Sequence, residues 1–407
     1  MKRILTVLFV AVLAAGVIFA GDLKATGSAT LSFGYNLDTK AWGFANANAI
    51  SVKGTITLET DKPGSKGEGD LWGEITATYA LKINVTNATT AAFAMSGSIT
   101  AANIHVGEKL VIGILNAGGG YNFATSYYKV GNAVLNKVAA PSNGAPGFNV
   151  NYDGWKGGFG ANGVLKTDTT GASYTIFAHF AAKTIKLAED ALSIDAAVTA
   201  KAAKAAADEK ANKDAWLNAK AAYKKDKLSG SLAADIALLA KDDIRAEVAA
   251  KAGYDKYTLD VYYYYQKDDS NLLSAKIAAK INDNITSVWV DGRNLLKDDR
   301  ELGVGVDAAF DAVECGLEAW YAFADKAVDL GAYVIYGAEK FDVELDLAAG
   351  LDLDPNAAKV LAALQPTLTI SSTAIIDNAT LKLVWDGADF AAEDTLGAVT
   401  ASVKIAF

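Results

Sequence analysis

Apolar and polar side chains alternate with a period of two along most of this chain. Val399, Ala401, Val403, Ile405 and Phe407 alternate with Thr400, Ser402, Lys404 and Ala406. Phe341, Val343, Leu345 and Leu347 alternate with Asp342, Glu344 and Asp346, and Leu302, Val304 and Val306 with Gly303, Gly305 and Asp307. Tyr257, Leu259, Val261 and Tyr263 do so with Thr258, Asp260 and Tyr262. Near the front, Ile50, Val52 and Ile56 alternate with Ser51, Lys53 and Thr55, and Leu71, Ile75 and Leu81 share a face opposite Trp72, Glu74 and Lys82. This is the period of strands, not helices.

The runs are long. A globular strand averages about five or six residues, whereas these extend over about nine to thirteen, near the roughly 9–11 needed by a tilted strand crossing a bilayer core. Asn/Asp-rich clusters at 267–271, 282–284, 325–326 and 377–378 read as hairpin turns. Any half-buried antiparallel sheet alternates, including that of a secreted β-sandwich array. Strand length, an export signal and charges in mid-strand (Arg245, Glu247, Asp342, Glu344, Asp346) favour a membrane wall with a watery interior. The expected fold is all-β, a single-chain antiparallel transmembrane β-barrel of about 16–20 strands at about twenty residues per strand and connection.

Residues 1–20 read as a secretory signal peptide: Lys2 and Arg3, an uncharged apolar stretch from Ile4 to Phe19, and Ala20 before Gly21. The barrel is then expected over 21–407. The longest later stretch without charge, Ile83 to Gly107, is too rich in Thr, Asn and Ser for a lipid-facing helix.

Two segments interrupt the alternation. Region 102–147 holds Gly118, Gly119, Gly120, Pro141 and Pro146 and reads as a long loop or hairpin, either folded into the lumen as a constriction or exposed at the surface. Region 201–227 is rich in Lys and Ala and reads as a solvated connection, with a strand through Trp216 and Tyr223 as the other option. Residues 356–364 are a shorter candidate for a helical loop.

Composition narrows the function. Among 407 residues there are one Cys and two His, so an internal disulfide is excluded and a zinc site or Cys/His nucleophile pair has almost no material. The net charge of −9 argues against a nucleic-acid partner. Thirty-six glycines beside five prolines suit tight turns and fully bonded strands. Seven Trp and seventeen Tyr suit interfacial girdles as well as ordinary cross-strand pairs. Gly158 to Gly163 matches G-x-G-x-x-G, but no helix pattern follows, so dinucleotide binding is not expected. No carboxylate spacing marks a glycosidase pair, and Asp298, Asp299, Asp352 and Asp354 lack the order of a calcium loop. No catalytic, cofactor-binding or metal residue is expected, and the chain does not read as an enzyme. Cys315 reads as a small buried or lipid-facing residue.

Two stretches carry a family resemblance. Lys66-Gly67-Glu68-Gly69-Asp70-Leu71-Trp72-Gly73-Glu74-Ile75 and Gly147-Phe148-Asn149-Val150-Asn151-Tyr152, which leads into the glycine-rich Trp155 to Gly163, are similar to the major outer sheath proteins of spirochaetes, the treponemal surface porin-adhesins. They cover about a tenth of the chain. The resemblance implies an outer-membrane barrel that forms a pore, is often oligomeric and binds host surface proteins through its loops. It also implies, in some members, a separate periplasmic N-terminal part, against which strand periodicity beginning by residue 25 speaks. Phe407 is the terminal aromatic residue general to assembled outer-membrane barrels.

The expected function is passive diffusion of small hydrophilic solutes or ions across the cell outer membrane, with weak cation preference. The alternative is a surface adhesin or structural sheath protein anchored by its barrel. Candidate pore-lining residues are Lys53, Glu74, Lys82, Arg245, Glu247, Asp260, Asp307, Glu318, Asp342, Glu344 and Asp346. Expected partners are outer-membrane lipid, the barrel-assembly machinery for which Phe407 is the signal, further copies of the chain and host surface proteins.

Overall fold

The computed structural model describes residues 22–406 except 45–48, 61–70, 86–90, 116, 131–132, 135–137, 139, 142–145, 165–172, 208–209, 268–270, 356, 358, 388 and 392–395. The signal peptide, the Lys66 to Asp70 part of the family resemblance and Phe407 lie outside the described residues.

The described residues form one large antiparallel sheet that closes on itself and a two-stranded ribbon, Lys129–Val130 with Ala133–Val134. From the strand Asp22–Asn36 onward, most strands bond to the next along the chain, while Ser173–Ala181 pairs past Ile185–Leu187 and Leu110–Gly113 pairs past the loop with Gly147–Tyr152. The last, Ala398–Ala406, returns to the first through nine opposed pairs, from Ser28 with Ala406 to Asn36 with Ala398. The first strand's other edge carries Trp42–Phe44 and Ala49–Thr60. The ring of pairings is thus continuous, although Trp42–Phe44, Ile185–Leu187 and residues 91–102 pair along one edge only among the described residues.

The sheet has 24 strands among the described residues. They occupy twenty-two positions round the ring, because Trp42–Phe44 shares a position with Ala49–Thr60, and Ile185–Leu187 with Ser173–Ala181. The fold class agrees with the sequence expectation, but the strand number exceeds the expected sixteen to twenty. One reason lies at one rim, where turns contract to two residues. Asp153-Gly154, Asp226-Lys227, Asp255-Lys256 and Asp311-Ala312 each join long strands, and Asp153, Asp226, Asp255 and Asp311 all adopt positive φ. Short Asp-led turns match the strand twist. A second reason is the 201–227 region. It consists largely of strand, Leu192–Lys204 and Asn212–Lys225, so the connection shrinks to 205–211. Leu361–Ser372 likewise takes residues read as a helical loop. The one helical turn among the described residues is the 3-10 turn Ala240–Asp242.

Residues opposed across an antiparallel pair share a face. Following opposed partners round the ring traces each face without ambiguity. Asp386, Thr367, Asp346, Tyr333, Gly316, Asp307 and Ser287 form one row. Their chain neighbours Leu347, Ala332, Leu317, Val306 and Val288 form the next, on the other face. The second face is a belt of exposed Leu, Ile, Val and aromatic side chains, with Leu317 at 63 % and Leu345 at 45 %. An apolar belt of that extent far exceeds the few hundred Å² that a soluble monomer exposes, and it fits hydrocarbon. The polar face is the concave one.

Leu317→Arg is therefore expected to cost about 2–4 kcal/mol in lipid if the site lies near the bilayer midplane. Ala348→Ser on the concave face should cost no more than about 0.5 kcal/mol. Urea unfolding of the lipid-refolded barrel measures both, and a neutral Leu317→Arg would remove this face from the membrane.

Candidate functional site

The concave wall is not bare. Beyond the strand Leu110–Gly113 the chain leaves the sheet and rejoins it at Gly147–Tyr152. The described parts of the intervening segment lie along the wall from the strand Ser173–Ala181 to the strand Ile285–Arg293. Wall residues under it are buried, among them Thr199, Asn218 and Ala233, while their outward neighbours Val198, Leu217 and Leu232 stay exposed. Within region 102–147, residues 102–113 include parts of the strands Ala91–Val106 and Leu110–Gly113, and the described residues beyond them pack on the concave wall.

Three carboxylates fasten this loop. Asp235 accepts the Phe123 and Ala124 amide hydrogens at 2.9 and 2.7 Å, and the Asn218 side-chain amide at 2.7 Å. Glu247 accepts the Val138 amide at 2.9 Å and the Tyr262 hydroxyl. Asp291 accepts the Tyr127 hydroxyl at 2.6 Å and pairs with Arg293 at 3.3 Å. All three are at most 1 % exposed. A buried carboxylate costs several kcal/mol unless its oxygens are bonded, and here each receives two or three donors.

An apolar seam backs the polar clasp. Tyr128, Val138 and Ala140 of the loop pack with Trp216, Ala237, Tyr262, Tyr264 and Leu272 of the wall. The Tyr128 hydroxyl meets Ser274 Oγ at 3.1 Å, and the Arg293 guanidinium lies between the Tyr128 and Trp320 rings. At the loop's start the Ala117 carbonyl meets His179 Nε2 at 2.5 Å. That approach explains the glycine run misleadingly similar to a dinucleotide motif. Gly158 opposes His179, and a Cβ there would overlap the Ala117 carbonyl oxygen.

The wall beyond the loop is acidic. Asp307, Glu318, Asp346 and Asp386 line one cavity of about 400 Å³ with Trp289, Tyr333, Gln365 and Thr367. Tyr333 donates to Asp307 at 3.1 Å, and Trp320 Nε1 to Glu318 at 3.3 Å. Asp342 and Glu344 follow Asp346 on the same face of the strand Asp342–Asp352.

All eleven sequence candidates fall on the concave face by register. They do not converge on one site. Asp307, Glu318 and Asp346 come together. Glu247 is a loop anchor, Arg245 is paired with Asp243 at 2.6 Å, and Asp260 with Lys251 at 3.3 Å. Glu74 accepts from Asn103 at 3.0 Å, and Lys53 and Lys82 stand exposed on the strands of that sector. The sequence reading missed Asp235, Asp291, His179 and Asp386. A lone acid inside an alanine- and leucine-rich strand, as in Leu232-Ala233-Ala234-Asp235-Ile236-Ala237, was the available signal for the first.

No family model matches the chain, and no curated protein matches its sequence. Among solved structures it is similar to the translocation pore of the P pilus usher PapC, at 7 % identity over 94 % of this chain and 99 % of that one, with a TM-score of 0.45. It is also similar to a substituted Rh. blastica porin, at 11 % identity over 95 % of this chain and 100 % of that one, with a TM-score of 0.32. At those scores neither likeness carries a functional argument, and the fold rests on the ladders above.

Asp235→Ala strands two loop amides and the Asn218 side chain, at about 1–3 kcal/mol for each unsatisfied group. The expected result is faster proteolytic cleavage within 115–146, with the heat-modifiable gel migration of the folded barrel retained. Unchanged cleavage would mean that Asp235 does not hold the loop.

Proposed function

We propose that this protein is an outer-membrane channel through which small hydrophilic solutes and ions diffuse passively, with a preference for cations. The observation that carries the reading is the polar face, continuous by register round a closed ring of twenty-two positions. Barrels of sixteen or more strands enclose water unless something fills them, whereas eight-stranded ones fill with side chains. The loop's side-chain anchors lie on the wall at His179, Asp235, Glu247 and Asp291, and the acidic sector lies on later strands. Asp307, Glu318, Asp342, Glu344 and Asp346 then bias the lumen towards cations through their summed field. The chemistry required is electrostatic only, with no covalent step.

A second reading is a surface adhesin or structural outer-sheath protein that uses its barrel as an anchor. The fastened loop favours it, since the loop already occupies part of the lumen, and the spirochaetal resemblance points the same way. Host surface proteins and further copies of the chain would be its partners. In either reading the barrel-assembly machinery inserts the chain, and the rim with longer connections faces outward.

Planar-bilayer recording of the refolded protein decides between the two. Discrete conductance steps support the channel, and a folded barrel without conductance supports the anchor. In a tenfold KCl gradient, Glu344→Gln with Asp346→Asn should move the reversal potential towards zero. An unchanged potential would take both residues out of the conduction path.

A further inference from the structure

Loop and wall residues together line a second, open cavity of about 480 Å³, whose charge is opposite to that of the acidic sector. Its wall side carries Lys220, Lys251 and Lys276 against the single carboxylate Asp260. Lys251, Asp260 and Lys276 are directly opposed across three adjacent strands, and the row continues to Asp291, which is bonded to Tyr127 and Arg293 and lies outside the lining. Asp260 is committed to Lys251 at 3.3 Å. Lys276 lies over the Trp289 ring, 4.4 Å from its centroid, and no carboxylate among the described residues comes within ion-pair distance of Lys220. The cavity therefore keeps an excess of positive charge inside a chain of net charge −9.

The remaining lining is rich in hydroxyls. Thr125 comes from the loop, with Ser231, Thr258 and Ser287 from the wall, and the Phe123 ring closes one side. Flexible lysines bind oxyanions as point charges, and hydroxyls pair with either donors or acceptors on a solute. A small cation would meet repulsion here, and a neutral apolar solute would leave these groups unpaired.

We infer that this cavity is a binding site for a small hydroxylated oxyanion, of which a sugar phosphate is the simplest form. The volume suits a solute of that size, and contacts from ammonium groups to an oxyanion are among the stronger hydrogen bonds. The site requires the folded barrel with its loop in place, but not conduction.

Calorimetric titration of the refolded protein in detergent tests this, with glucose 6-phosphate as probe and glucose and inorganic phosphate as comparators. Glucose 6-phosphate is expected to bind saturably and glucose not to bind. Lys220→Gln with Lys276→Gln should weaken binding about tenfold or more. Lys404→Gln removes a like charge from a strand on another sector of the ring and should leave binding intact. Heat-modifiable migration confirms that each variant is folded. No saturable binding by the folded protein, or equal loss in Lys404→Gln and the double variant, overturns the site. Inorganic phosphate binding as tightly as glucose 6-phosphate overturns the sugar part of the assignment. Binding without conductance sinks the channel reading alone, and conductance without binding sinks this one alone.

Discussion

Everything in this structure follows from the need to pair backbone N–H and C=O groups where no water reaches them. In hydrocarbon each unpaired group costs several kcal/mol, so a spanning sheet cannot keep an edge. The nine opposed pairs between Asp22–Asn36 and Ala398–Ala406 join the two ends of the sequence for that reason. Closure fixes the rest. With a side-chain period of two, a one-residue slip of the strand Val313–Ala322 would turn Leu317 inward and Glu318 outward. The apolar belt and the polar lumen are therefore specified together.

The loop shows the same constraint acting inside. A segment that leaves the ladder at Gly113 loses its strand partners, and its amide hydrogens need acceptors. Asp235 and Glu247 supply them to Phe123, Ala124 and Val138. An ionised acceptor is stronger than a neutral one, and the donors it gathers offset the cost of its own burial. The aromatic seam of Tyr128, Trp216, Tyr262 and Tyr264 keeps water from competing for those bonds.

The membrane fold was legible because alternation in Phe341 to Ala349 or Val399 to Phe407 is a local property. Strand number was not. Residues 212–225 read Asn-Lys-Asp-Ala-Trp-Leu-Asn-Ala-Lys-Ala-Ala-Tyr-Lys-Lys, where alanine fills outward positions that Leu or Val fill elsewhere. Alanine contributes almost nothing to a hydrophobic period, and the charge count then dominates. The concave face of each candidate could be read from the same alternation. Their grouping could not, since Asp307, Glu318, Asp346 and Asp386 come from four strands and meet only through the register. Loop anchorage was hidden for a related reason: 109 residues separate Val138 from Glu247, and 164 separate Tyr127 from Asp291.

These observations divide the interior carboxylates by strand rather than by sequence context. On the strands between 228 and 293, a carboxylate facing the loop backbone is consumed as an acceptor, and one facing the lysine row is consumed as a counter-ion. On the strands between 301 and 352, Glu344 and Asp346 lie on the concave face, away from the anchors Asp235, Glu247 and Asp291. Net charge alone therefore misstates the lumen. A chain of −9 has an acidic sector beside a lysine-lined pocket because the acids under the loop are bonded to its donors or paired with wall cations. The charge pattern of such an interior depends as much on where its loop lies down as on which residues face inward.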